Sequence, residues 1–115
     1  MKKEFRIKKN HEIASIVSKR KKVSNNNYIL YYQQTNDEKI RVAISVSKKY
    51  GHAFERNKAK RITRNILRPY LKTMKKVDFV VVIKSTLKET PYEKLENEMR
   101  FLMKLVKNKT QGEKK

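Results

Sequence analysis

With 115 residues, 31 Lys and Arg against 11 Asp and Glu, the chain has the length of one domain with a modest core and a formal charge of +20. Such an excess repels itself and calls for a polyanion, with nucleic acid the first candidate and an anionic membrane surface the second. The lack of cysteine excludes a disulfide framework and thiolate metal sites, and no apolar run has the length of a signal peptide or a bilayer span, so the expected setting is soluble and cytoplasmic.

In chain order, Asn10 is placed to cap a short helix in which Ile13, Ile16 and Val17 recur at the spacing of one buried face. That helix should fade near Lys19, and Ser24 to Asn27 reads as turn material. Two strands follow. In Tyr28 to Gln34, Tyr28, Leu30 and Tyr32 point one way and Ile29, Tyr31 and Gln33 the other. Thr35 to Glu38 reads as a hairpin turn into the second strand. There Ile40, Val42, Ile44 and Val46 form a core face, and Arg41, Ala43, Ser45 and Ser47 form a small, polar face that no large apolar layer seals.

Ser47 to Ala53 leads into a basic helix, with Gly51 free to take a positive φ, and Pro69 should kink or end that helix. Val77 to Ile83 is a run rich in β-branched residues and reads as a central strand buried on both faces. Thr90, Pro91 and Glu93 signal the start of a last helix with Tyr92, Leu95, Met99, Leu102 and Val106 as its apolar stripe. The expected domain runs over residues 1–107, with a disordered basic tail over 108–115.

The basic helix carries the functional signal. At about 100° per residue, Ala59, Ile62, Ile66 and Leu67 fall on one side. Asn57, Arg61, Arg64, Asn65 and Arg68 fall on the other, with Lys58 and Lys60 at the margins and Arg56 able to reach past the first turn. An ordinary solvated face mixes signs, whereas here no acid follows Glu55. Arginine forks suit phosphate oxygens, and a helix start with unpaired N–H groups favours an anion.

Ala53-x-x-Arg56-Asn57-x-x-Lys60-Arg61-x-x-Arg64, preceded by Ser45-Val46-Ser47-Lys48-Lys49, resembles the protein subunit of bacterial ribonuclease P, with a likeness from about Phe5 to about Lys107. The resemblance implies an α/β (α+β) sandwich in the order helix, strand, strand, basic helix, strand, helix, with a left-handed crossover through the basic helix between parallel strands. General rules favour the right-handed sense. It implies that a large catalytic RNA hydrolyses precursor tRNA with bound Mg²⁺, and that the protein holds no cofactor of its own. The protein's part is to assist metal binding by the RNA and to hold the 5′ leader. Carried over by position, Ser47, Lys48, Lys49, Arg56, Asn57, Lys58, Lys60, Arg61, Arg64 and Arg68 are RNA-binding residues. A leader cleft between the first helix and the open sheet face takes in Phe5, Ile13, Val17, Tyr31 and Ser45. Tyr31 offers a ring on which any base can stack, and also reads as an ordinary half-buried strand tyrosine. Ile13 and Val17 stand where relatives often carry Phe, which leaves apolar contact without stacking. Phe5 supplies a further aromatic or anchors its arm to the core.

The chain itself offers little chemistry. His11 and His52 could form an acid–base pair, but isolated surface histidines are far commoner. No carboxylate cluster suits two-metal hydrolysis, Asp78 lacks an evident partner, and no phosphate-binding glycine loop is present. A ribosomal or other structural RNA-binding protein shares the charge and size. A helix-turn-helix DNA module fits less well, because strands flank the basic helix. A membrane-surface role would need the apolar helix face that the sheet requires.

Overall fold

Period-two alternation gives each strand two chemically distinct faces, and a computed structural model, which describes residues 6–7, 9–36 and 38–110, shows how they are used. The elements are α1 (Asn10–Ser18), β1 (Lys22–Ser24), β2 (Tyr28–Gln34), β3 (Arg41–Val46), α2 (Ala53–Thr73), β4 (Val77–Ile83) and α3 (Tyr92–Thr110). Short 3₁₀ segments at Lys48–Tyr50 and Ser85–Glu89 precede α2 and α3. The result is a small α+β domain with a four-stranded mixed sheet in the order β1-β2-β4-β3.

The expected hairpin between β2 and β3 does not form. β4 lies between them, antiparallel to β2 and parallel to β3. The physical reason is burial: β4 is apolar on both faces, with Val77 and Phe79 to Val81 buried, and a strand of that kind loses most by standing at an edge. The segment after Thr35 therefore carries the chain across β4, and Thr35 N–H donates to the Lys76 carbonyl at 2.9 Å, prolonging the β2–β4 ladder. A hairpin does form, but earlier. Lys22–Ser24 is a strand that the basic run concealed, and it pairs antiparallel with β2. Its turn is closed by the Asn25 side-chain oxygen, which accepts from the backbone N–H groups of Asn27 and Tyr28, both at 2.9 Å.

One sheet face, built from Tyr28, Leu30 and Tyr32 with Phe79, Val81 and Val42, buries the main core beneath α2 and α3. The other face carries a smaller cluster of Ile7, Ile16, Ala43 and Val80, with Ile13, Val17, Tyr31 and Val82 packed around it. α1 thus covers part of this second face, fixed there by a polar clamp. Arg41 forks onto Asp78 at 2.9 and 3.2 Å and reaches Glu12 of α1 at 3.3 Å. Asp78, without a partner in the sequence reading, has one from the adjacent strand. Hydrogen bonding to its carboxylate, more than any other influence, raises the Arg41 pKa above its ordinary value.

Two helix boundaries differ from expectation, and Pro69, read as a kink or an end, does not end its helix. Lys9 rather than Asn10 is the residue before the first helical turn. α2 continues through Pro69 to Thr73, because Tyr70 and Leu71 still pack on the core and Met74 is buried just beyond. α3 extends through 108–110, residues assigned to the tail, as Val106 keeps its last turns against the core.

Candidate nucleic-acid interface

The helix that carries the charge starts at a turn only glycine fits comfortably. Gly51 has φ 157°, and a Cβ there would stand 2.1 Å from the Glu55 carboxylate. Glu55 is held in that place because it accepts from the His52 backbone N–H at 2.8 Å, closing the first turn of α2. The single acid of the basic segment is therefore committed to the helix start, not to neutralising its neighbours. Arg56 folds back in the way its first-turn position suggests, donating from Nε to the Gly51 carbonyl at 3.2 Å.

Ala59, Ile66 and Leu67 are buried and Ile62 is half-buried, as the winding of the sequence requires. Thr63 joins them, a polar residue that periodicity alone did not place. Its hydroxyl shares a 3.0 Å hydrogen bond with the Tyr28 hydroxyl, and burial, the larger influence, pushes the Tyr28 pKa up to about 12. On the outer side Asn57, Lys58, Arg61 and Arg68 are exposed and Lys60 and Arg64 are half-buried. Among the described residues none of these five cations pairs with a carboxylate. Arg68 donates to the Asn65 side chain at 3.2 Å. Lys48 and Lys49 are exposed on the 3₁₀ turn ahead of α2, where the Ser47 hydroxyl accepts from Lys49 N–H at 3.2 Å.

The cleft residues sit on the second sheet face. Register aligns Lys22, Tyr31, Val80 and Ala43 across all four strands, so Tyr31 and Ala43 share a face with Val80 between them. Lys22 places its ammonium 5.7 Å from the Tyr31 ring centre. The next row, Ile29, Val82 and Ser45, ends in an exposed serine beyond the small cluster. Ile13 and Val17 of α1 are half-buried beside Tyr31, while Phe5 lies outside the described residues. A hollow of about 190 Å³ is lined jointly by Arg6, Ile13, Ala43, Ile44, Lys60 and Arg64. It joins α1, the edge strand β3 and the basic helix in one concavity. A second hollow of about 490 Å³ is lined by Ser45, Ser47, Lys49, Lys84 and Thr86 together with Tyr50, Val82 and Ile83. Arg6 and Lys84 line these hollows but were not singled out in the sequence, since Arg6 is one cation among many in the N-terminal stretch and Lys84 stands alone after an apolar strand.

The arrangement can grip a polyanion and shelter an extended strand. His11 and His52 are both exposed, His11 on α1 and His52 directly ahead of α2. Among the described residues no group of His, Cys, Asp and Glu could hold a metal ion, and no helix is long and apolar enough to cross a membrane.

Comparison with known proteins agrees with this geometry. The family model described as Ribonuclease P matches residues 1–107. The ribonuclease P protein component of Streptococcus agalactiae is 35% identical over 105 residues, covering 91% of this chain and 96% of that protein. Its counterpart in Lactococcus lactis subsp. cremoris is 32% identical over 113 residues, covering 98% and 97%. Among solved structures, the RNase P protein of Staphylococcus aureus superposes with a TM-score of 0.81 at 30% identity, covering 90% of this chain and 95% of that one. The RNase P protein of Thermotoga maritima shares the fold with a TM-score of 0.74 at 23% identity, covering 84% and 94%. These agreements set aside the ribosomal-protein alternative. The chain belongs to the family of ribonuclease P protein components, the non-catalytic protein subunits of the endoribonuclease that processes the 5′ ends of tRNA.

Proposed function

We propose that α2 binds the ribonuclease P RNA with Arg56, Asn57, Lys58, Lys60, Arg61, Arg64 and Arg68, aided by Ser47, Lys48 and Lys49. The cleft formed by Ile13, Val17, Tyr31 and Ser45 holds the single-stranded 5′ leader of precursor tRNA; Phe5 belongs to the same reading by its position in the sequence. The observation that supports this most is the hollow in which Ile13 of the cleft and Ala43 of the same sheet face meet Lys60 and Arg64 of the helix. A leader strand and the catalytic RNA could then be held on one continuous surface. The chemistry lies with the RNA and its Mg²⁺. The protein supplies cations that offset phosphate repulsion, which lowers the concentration of free metal the RNA needs. Its domain takes in the family-matched residues 1–107 and the end of α3 at Thr110, and the site of action is the cytoplasm.

The test is cleavage of precursor tRNA at low Mg²⁺, with the RNA subunit alone, the protein alone, and both. Cleavage should be fast only with both, and the protein alone should cut nothing. Equal rates with and without protein across a Mg²⁺ titration would refute the assignment. So would cleavage by the protein alone that survives nuclease treatment and is lost in His11→Ala or His52→Ala.

A further inference from the structure

Away from the cleft, a cavity of about 430 Å³ opens between the first turns of α2, the Ser85–Glu89 segment and the start of α3. Its volume lies in the range of about 300–1,000 Å³ usual for sites that take small molecules or their fragments. The floor is apolar, from Ile62 and Leu95. Two aromatic rings line it while remaining open to water: Phe54 is 71% exposed and Tyr92 43%. Exposed apolar groups gathered at one place, rather than scattered singly, mark contact surfaces. Lys58 and Lys88 also line the cavity and are themselves exposed, and the Lys88 ammonium is steadied 4.9 Å from the ring centre of Tyr50. The acid among the lining residues, Glu55, is committed to the His52 N–H.

We infer that this cavity receives an unstacked nucleobase of the ribonuclease P RNA, sandwiched or wedged against Phe54 and Tyr92, with the adjoining phosphates at Lys58 and Lys88. The inference rests on the reading of α2 as the RNA-binding helix. Continuity argues for RNA as the occupant: Phe54 and Lys58 stand one helical turn apart on α2, within the run that holds Arg56 and Asn57. Charge argues the same way, since two exposed lysines at the site on a chain of +20 suit a phosphate-bearing partner. A duplex cannot use such a site, because its base faces are stacked. A loop or bulge can, and aromatic stacking of splayed bases is how proteins commonly read single-stranded RNA.

The chain has no tryptophan, so Phe54→Trp introduces one reporter at the cavity. Titration with the full-length ribonuclease P RNA should quench the introduced indole to a saturating endpoint at one RNA per protein. Phe54→Ala should weaken RNA affinity by about 5- to 150-fold with the salt dependence unchanged, because a neutral contact releases no counterions. Phe101→Ala serves as control, since Phe101 is 60% exposed on α3 and does not line the cavity. Circular dichroism confirms that the fold survives. Unchanged affinity in Phe54→Ala while Arg61→Ala still weakens binding would overturn the cavity assignment alone. Full affinity in both variants would instead overturn the reading of α2. An indole that the RNA does not quench, or a sedimentation mass showing that the wild-type protein self-associates through Phe54, would likewise remove the nucleobase from the cavity.

Discussion

Tyr31 and Arg41 show how single side chains on one sheet face take different roles. Tyr31 is half-buried against the small cluster under α1, and its row-mate Ala43 is too small to cover it from the far side. Tyr31→Ala is expected to weaken leader-bearing tRNA by about 5- to 150-fold at the upper limit, whatever the base, and mature tRNA hardly at all, because it lacks a leader. Tyr31→Phe should restore the loss, as the ring remains. Equal losses for the two RNAs, or a large fall in melting temperature, would make Tyr31 a packing residue. Arg41 belongs to the architecture instead. Its partner Asp78 is 1% exposed, so Arg41→Ala would leave a buried carboxylate unpaired. Since Arg41 is partly exposed, we expect a cost at the lower end of about 3–5 kcal/mol, read from denaturant unfolding. A cost below 1 kcal/mol would show that water replaces the guanidinium.

At the scale of elements, α2 serves two masters along its length. Its inner side closes the core through Ala59, Thr63, Ile66 and Leu67, which fixes the rotation of the helix and so fixes where its cations point. Arg61→Ala and Arg64→Ala should therefore leave the circular dichroism spectrum unchanged. They should weaken binding to the ribonuclease P RNA and flatten the dependence of affinity on salt by roughly one phosphate contact each. A salt slope identical to that of the parent protein would take α2 out of the interface. The helix start constrains this design as well. Gly51 and Glu55 are so close that any side chain at 51 must displace the residue that closes the first turn.

For the molecule as a whole, alkaline pH acts on stability through buried tyrosines. Burial is the leading cause that raises the pKa of Tyr28, Tyr50 and Tyr70, Tyr28 from 10.0 to about 12. A raised pKa means that the folded state keeps its protons after the unfolded chain has begun to lose them. For Tyr28 the contribution is thus fully present below pH 10 and is lost as pH climbs toward 12, and Tyr50 and Tyr70 act in the same direction. Melting temperature should hold steady up to about pH 9 and then fall, with Tyr28 alone accounting for something on the order of 2 kcal/mol. Tyr28→Phe should lower stability at neutral pH by about 1 kcal/mol, the worth of its bond to Thr63, yet shrink the alkaline loss. An alkaline limb of the same depth in Tyr28→Phe would assign that limb to other groups.

Local chemistry made much of this legible in advance. The period of the basic helix, the double-sided apolar run of Val77 to Ile83 and the Arg-Asn and Lys-Arg pairs needed no tertiary information, because each is a pattern within one segment. The family followed from those pairs, and the side of α2 that faces outward followed from its winding. Strand order did not. Whether β2 pairs with β3 or with β4 depends on which strand gains most from two neighbours, a comparison among segments far apart in the chain that no turn signal encodes. The Arg41–Asp78 clamp and the placement of Thr63 beside Tyr28 share that origin, since each joins residues brought together only by the sheet order and the packing of α2. For the same reason the cavity beside Phe54 was invisible: its walls come from α2 and α3, and their meeting is decided by the core they both cover.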